Sequence, residues 1–145
     1  MILKSPLRVP TSKSGMFSLN LNQYRNAHYQ VLNKAKRNYK SLMFAQIQAL
    51  PELDKISLTY TLYPKDRRIC DLDNVLAVHC KFFQDALVEL GRLPDDNINH
   101  IRAIDFRYGK VDKDDPRVEI EIESYLALKG GKRDDDANIK SRATQ

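Results

Sequence analysis

Acid is missing from the first third of this chain. No Asp or Glu precedes Glu52, whereas Lys4, Arg8, Lys13, Arg25, Lys34, Lys36, Arg37 and Lys40 all do. The first 51 residues therefore carry +8 and the remainder −3, within a net charge of +5 over 145 residues. A basic half beside an acidic half points to two tasks: holding a polyanion, and holding cations or doing chemistry. Cysteine is scarce as well. Cys70 and Cys80 are the only two, and such a pair reads as reduced thiols rather than a bridge, with no accompanying ligands for a metal site. Long apolar runs are also lacking. Nothing approaches the roughly 18 consecutive apolar residues of a membrane span. The opening "MILKSPLRVP" has one early lysine and too short an apolar run for a signal peptide. The expectation is a cytosolic, single-domain protein with one core and no membrane partner.

Periodicity supplies the elements. Residues 1–15 read as loop or a short edge segment, broken by Pro6, Pro10 and Gly15, and "MFSLNLN" as a short strand. From about Tyr24 to Leu50 a helix is predicted. Its stripe is Val31, Leu32, Ala35, Tyr39, Leu42, Met43, Gln46 and Leu50, and Pro51 stops it. "KISLTYTLYP" alternates as a strand does. A second helix follows from about Asn74 to Leu90, with Val75, Val78, His79, Phe82, Phe83, Ala86, Leu87 and Leu90 as its stripe. His79 falls inside that stripe and reads as a core histidine. Gly91 stands where a left-handed cap is wanted. "NHIRAIDFRYG" and "RVEIEIES" read as strands joined in a hairpin across "KDDP". The fold class is α+β: a small mixed, mostly antiparallel sheet packed by two main helices. Residues 1–128 make the domain, and the tail 129–145, "KGGKRDDDANIKSRATQ", reads as disordered.

Carboxylates gather in "CDLDNVLAVHCKFFQDALVELGRLPDDNI", residues 70–98. Asp71 and Asp73 are two apart, so in an extended segment they share a face, and Asp73 is placed to cap the helix that follows. Asp95 and Asp96 come after that helix. About 17 residues of helix span roughly 25 Å, so the two pairs meet only if the chain turns back after Gly91. The strand starting near Asn97 must then lie beside the one leading to Asp71. Hard oxygen donors without a Cys–His set favour Mg²⁺ or Mn²⁺ over zinc. Such a cation beside a basic surface suits metal-assisted phosphodiester hydrolysis.

The motif "DLDN" opening a helix with "DAL", followed by "GRLPDD", resembles the RusA-type Holliday-junction resolvases, phage members included. "LNQYRNAHY" is similar to the early Asn/Tyr/Arg segment of that family, and the likeness runs over roughly residues 16–124. The resemblance implies a RusA-like fold and a homodimeric, Mg²⁺-dependent endodeoxyribonuclease, with Mn²⁺ as a substitute, that cuts four-way DNA junctions in recombination and repair. A phage member would work in the cytoplasm of a bacterial host. Asp71, Asp73 and Asp96 would be the metal ligands, with Asp95 next to them. One departure stands out. The family carries a lysine three residues after the Asn of the motif, where this chain has Ala77. Lys81 is one turn on and about 40° away on the helical wheel, and is the candidate to supply that charge; Arg67 and Arg68 are the others. Arg25, His28, Lys34, Lys36, Arg37, Lys40, Arg67 and Arg68 are the candidate DNA contacts. The competing reading is a junction-binding protein that keeps the fold without the activity.

Overall fold

The computed structural model describes residues 1–125. The end of the predicted domain beyond Tyr125 and the predicted tail lie outside them. The chain runs β1 (Ile2–Ser5), β2 (Arg8–Pro10), β3 (Met16–Ser18), α1 (Leu21–Asn26), α2 (Tyr29–Gln48), β4 (Ile56–Tyr63), α3 (Leu72–Glu89), β5 (Ile101–Tyr108) and β6 (Arg117–Ser124). The class is α+β, as expected. A four-stranded sheet has the order β1-β6-β4-β5, mostly antiparallel, and β2 and β3 pair as a separate two-stranded sheet.

The N-terminal segment departs from the loop expectation. Leu3 and Ser5 turn inward on β1, and Val9 is buried on β2. Strands this short carry too few residues to show an alternating pattern. The prolines do mark their ends: β1 stops before Pro6 and β2 ends at Pro10. The long helix predicted from Tyr24 is two helices. Asn20 caps α1, its Oδ1 accepting from the N–H of Gln23 at 2.9 Å. The chain then becomes extended at Ala27 and His28 before α2 begins. His28 is the N-cap of α2, its Nδ1 accepting from the N–H of Gln30 at 3.1 Å. No Gly or Pro marks that break. The buried line of α2 is narrower than predicted: Ala35, Tyr39, Met43 and Ile47. Val31 and Leu42 are exposed. Gln46, also placed on that stripe, binds the chain edge: its Oε1 accepts from the N–H of Lys4, and its Nε2 donates to the Lys4 carbonyl.

The predicted hairpin between the last two strands does not form. β4 lies between them, parallel to β5 and antiparallel to β6. The cause is the length and course of the connection. Gly109 N–H donates to the Leu62 carbonyl and Asp112 N–H to the Pro64 carbonyl, both at 2.8 Å, carrying the chain across the end of β4. Gly109 lies so close to the Tyr63 ring that a Cβ there would sit 2.6 Å from it. α3 is the crossover between the parallel strands β4 and β5, the connection a parallel pair requires. Its stripe is buried as predicted, with Leu76 added and Val75 and Leu90 only partly covered. It packs against β4 and β5, and its stripe shares one core with the inward residues Ile56, Leu58, Tyr60 and Leu62 of β4 and Val118, Ile120 and Ile122 of β6. Phe82 is the centre of an aromatic group, with ring centroids 5.9 Å from Phe17, 5.5 Å from Tyr39 and 6.4 Å from Tyr24.

Candidate active site

β4 delivers the chain, through the loop 64–70, to Asp71 at the N-cap of α3. Asp71 holds the cap position with φ −81° and ψ 129°, and its side chain makes no capping hydrogen bond. Asp73 lies in the first turn, on helical rather than extended backbone. The expectations that Asp73 caps and that the pair shares an extended face are therefore both corrected: the helix starts at Leu72, earlier than its apolar stripe suggests. Both carboxylates are exposed at the positive end of an 18-residue helix, where negative charge is favoured. Asn74, the last residue of the motif, accepts the backbone N–H of Leu21 at 3.1 Å, joining α3 to the first residue of α1.

The chain turns back after α3, as the convergence argument required. Gly91 takes φ +78°, and Arg92 N–H donates to the Leu87 carbonyl at 2.9 Å. Leu93 is buried and the Arg92 carbonyl accepts from Leu53 N–H, which fixes the loop. Asp95 then organises a turn: its Oδ1 accepts from Asp96 N–H at 2.8 Å and its Oδ2 from Asn97 Nδ2 at 2.9 Å. Ile56 and Ile101 pair at the start of the parallel ladder. Asp96 is thereby returned to the flank of α3. It lines a cleft of about 420 Å³ with Ala77, Cys80, Lys81, Gln84 and Asp85 of α3, Tyr24 of α1 and Phe106 of β5.

The electrostatics of the cleft are mixed. Lys81 Nζ lies 5.7 Å from the centre of the Tyr24 ring, and Lys36 Nζ, from α2, lies 6.0 Å from the same ring. Lys81 does not form the Asp85 ion pair that its i,i+4 spacing allowed; among the described residues it has no salt bridge within 4 Å. Burial holds the Asp85 carboxyl above the usual carboxylate range; Lys36 and Lys81 oppose the shift, and Asp96 and Glu89 add to it. Burial also raises the Cys80 thiol. Both cysteines are free, as predicted.

The predicted site residues thus fall in three places. Asp96 and Lys81 share the cleft, with Ala77 beside them, one turn along α3 from Asp73. Asp71 and Asp73 stand at the helix start. Asp95 has both oxygens engaged in its own turn. The donor chemistry suits a hard cation, yet among the described residues no group of three or more His, Cys, Asp or Glu side chains is arranged to hold one. Of the basic candidates, Lys36 reaches the Tyr24 ring at the border of the cleft, and Arg25, Lys34 and Arg37 are exposed. Lys40 is held by Glu89 at 2.8 Å and Arg68 faces Asp66 at 3.5 Å. His28, exposed, stacks on Tyr29 at 4.7 Å while capping α2. Arg67 borders a second cleft that includes Tyr108. His79 is core: its Nδ1 meets Ser5 Oγ at 2.7 Å, and Ser5 Oγ meets Tyr39 Oη at 2.6 Å. Sequence reasoning missed the roles of Asn74, Gln84, Asp85 and Phe106 here. The "DAL" of the motif contained Asp85, but nothing local marked it as half-buried.

No protein-family model matches the chain, and no curated protein matches it. Among the described residues no helix is long and apolar enough to cross a membrane.

Proposed function

We propose that the chain is a Mg²⁺-dependent, homodimeric endodeoxyribonuclease of the RusA type that resolves four-way and related branched DNA in the cytoplasm, with Mn²⁺ as a substitute cation. The observation that carries this reading is the β4–α3–β5 crossover. It returns Asp96 to the face of α3 that also bears Ala77 and Lys81, downstream of Asp71 and Asp73. In this reading Asp71, Asp73 and Asp96 hold the cation, Lys81 meets the negative charge on the phosphate, and Lys36, Lys34, Arg37 and Arg25 hold the flanking backbone. The test is cleavage of a synthetic four-way junction with Mg²⁺ and with EDTA. Paired cuts that need the metal support it, and full cleavage in EDTA overturns the metal dependence.

A second reading has its own observation. The carboxylates are not gathered into one group, and Ala77 stands at the position where the family carries lysine. A junction-binding protein without catalysis would retain the basic surface. Tight, salt-sensitive junction binding with no cleavage in Mg²⁺ or Mn²⁺ would establish it.

A further inference from the structure

The two edges of the main sheet are treated differently. On one side, β1 is four residues long, and its outward N–H and C=O at Lys4 are both taken by the Gln46 side chain. That edge is short and covered at Lys4. On the other side β5 runs eight residues, and among the described residues no strand lies beyond it. It carries no proline, and its register with β4 is regular from Ala103 to Tyr108. Ile104 and Tyr108 are 47 % and 58 % exposed on the face that Phe106 shares. Ile98 before the strand and Ile69, which borders a cleft with Tyr108, are more exposed still. A long open edge flanked by apolar side chains is a template for another strand.

We propose that this edge pairs with β5 of a second copy of the chain, antiparallel about a two-fold axis at Phe106, to make one continuous sheet. The occupant follows from the charge pattern of the strand itself. In a two-fold antiparallel pair, directly opposite residues share a face, so the axis must pass through a residue position. An axis at Asp105 would set two aspartates opposite each other, and one at Arg107 two arginines. An axis at Phe106 sets Asp105 opposite Arg107 of the other copy, twice, on the solvent face. On the helix face it sets Ile104 opposite Tyr108, twice. The Asp105–Arg107 pair already meets within one chain at 2.7 Å, so dimerisation joins two such pairs into a four-charge network. The inference takes the homodimer from the proposed function and adds the surface that forms it.

The test is sedimentation of the full chain at micromolar concentration, with circular dichroism to verify that each variant is folded. Wild type is expected to be a dimer. Asp105→Arg places like charges opposite one another at two sites and should raise the dimer dissociation constant about tenfold or more. Asp105→Arg with Arg107→Asp restores opposite charges in this register and should recover the dimer to within about threefold. In a Cys70→Ser background, the double variant Ile104→Cys, Tyr108→Cys should oxidise to a covalent dimer, while each single variant should not. A monomeric wild type overturns the proposal. So does an Asp105→Arg variant with unchanged affinity, a charge swap that fails to restore it, or the absence of the cross-link. A dimer indifferent to every one of these variants that still cleaves junctions would overturn this interface and leave the nuclease reading standing. A dimer that behaves as expected without cleaving would do the reverse.

Discussion

The side-chain carbonyl of Asn74 accepts the backbone N–H of Leu21 at 3.1 Å. The Asp-Leu-Asp-Asn segment therefore does more than present acids: it anchors the helix that carries Tyr24 to the helix that carries Lys81. Asn74→Ala removes the acceptor and should cost about 0.5–1.5 kcal/mol of unfolding free energy. Asn74→Asp, which keeps an acceptor, should retain most of it. Urea denaturation of both variants makes the comparison.

Asp73→Asn is expected to abolish junction cleavage and preserve junction binding. The change removes one carboxylate from the helix start and leaves the Lys and Arg surface intact. Electrophoretic mobility shift and single-turnover cleavage on the same folded preparation decide it. Loss of binding together with activity would show that Asp73 holds the DNA surface in shape.

Lys81→Ala is expected to lower single-turnover cleavage by on the order of 10²-fold with little change in affinity, since a cation aimed at developing charge acts on the transition state. Among the described residues it has no salt bridge, which leaves it available to an anion. Adding Ala77→Lys should recover part of the loss, because both positions line the same cleft. A wild-type rate for Lys81→Ala would make it a surface lysine.

The salt dependence of binding separates the members of the basic helix. Replacing Lys34, Lys36 and Arg37 together by Ala should flatten the slope of log K against log salt by about 2.7, at about 0.9 for each phosphate contact. Adding Lys40→Ala should change it by less than one further contact, because Glu89 already neutralises Lys40 at 2.8 Å. A full further step would mean that this ion pair opens on DNA. An unchanged slope in the triple variant would move the DNA surface to Arg25, Arg67 and Arg68.

His79 should make the fold acid-sensitive. Burial lowers its pKa from 6.5 to about 3, and among the described residues its Nε2 has no hydrogen-bond partner. Between those values the unfolded chain takes up a proton that the folded chain refuses. The contribution is fully present above about pH 6.5 and shrinks by about 1.4 kcal/mol per pH unit as the pH falls toward 3. Denaturation of wild type and His79→Gln at pH 7 and pH 5 should show the wild type losing about 2 kcal/mol more than the variant over that interval. Equal losses would mean that the site opens to water before it titrates.

Much of this was legible in the chain because it was written in local pattern. The alternation of 56–63 and 117–124, the stripe of α3, the left-handed Gly91 and the buried His79 each follow from residue spacing of two, three or four. So does the sign asymmetry that separates a basic α2 from the acidic stretch after it. What spacing does not encode is which strand lies beside which. The pairing of β5 with β4 rather than β6 depends on a crossover helix and on backbone bonds from Gly109 and Asp112 across the end of β4. The break at Ala27–His28 depends on a histidine serving as a cap. The closeness of Asp96 to Lys81, the sharing of the Tyr24 ring by lysines of two helices, and the capture of Lys40 by Glu89 join residues 12 to 57 positions apart. Only the packing of α1, α2 and β5 around α3 brings them together, because side-chain electrostatics act over a few ångströms of space and not along the chain.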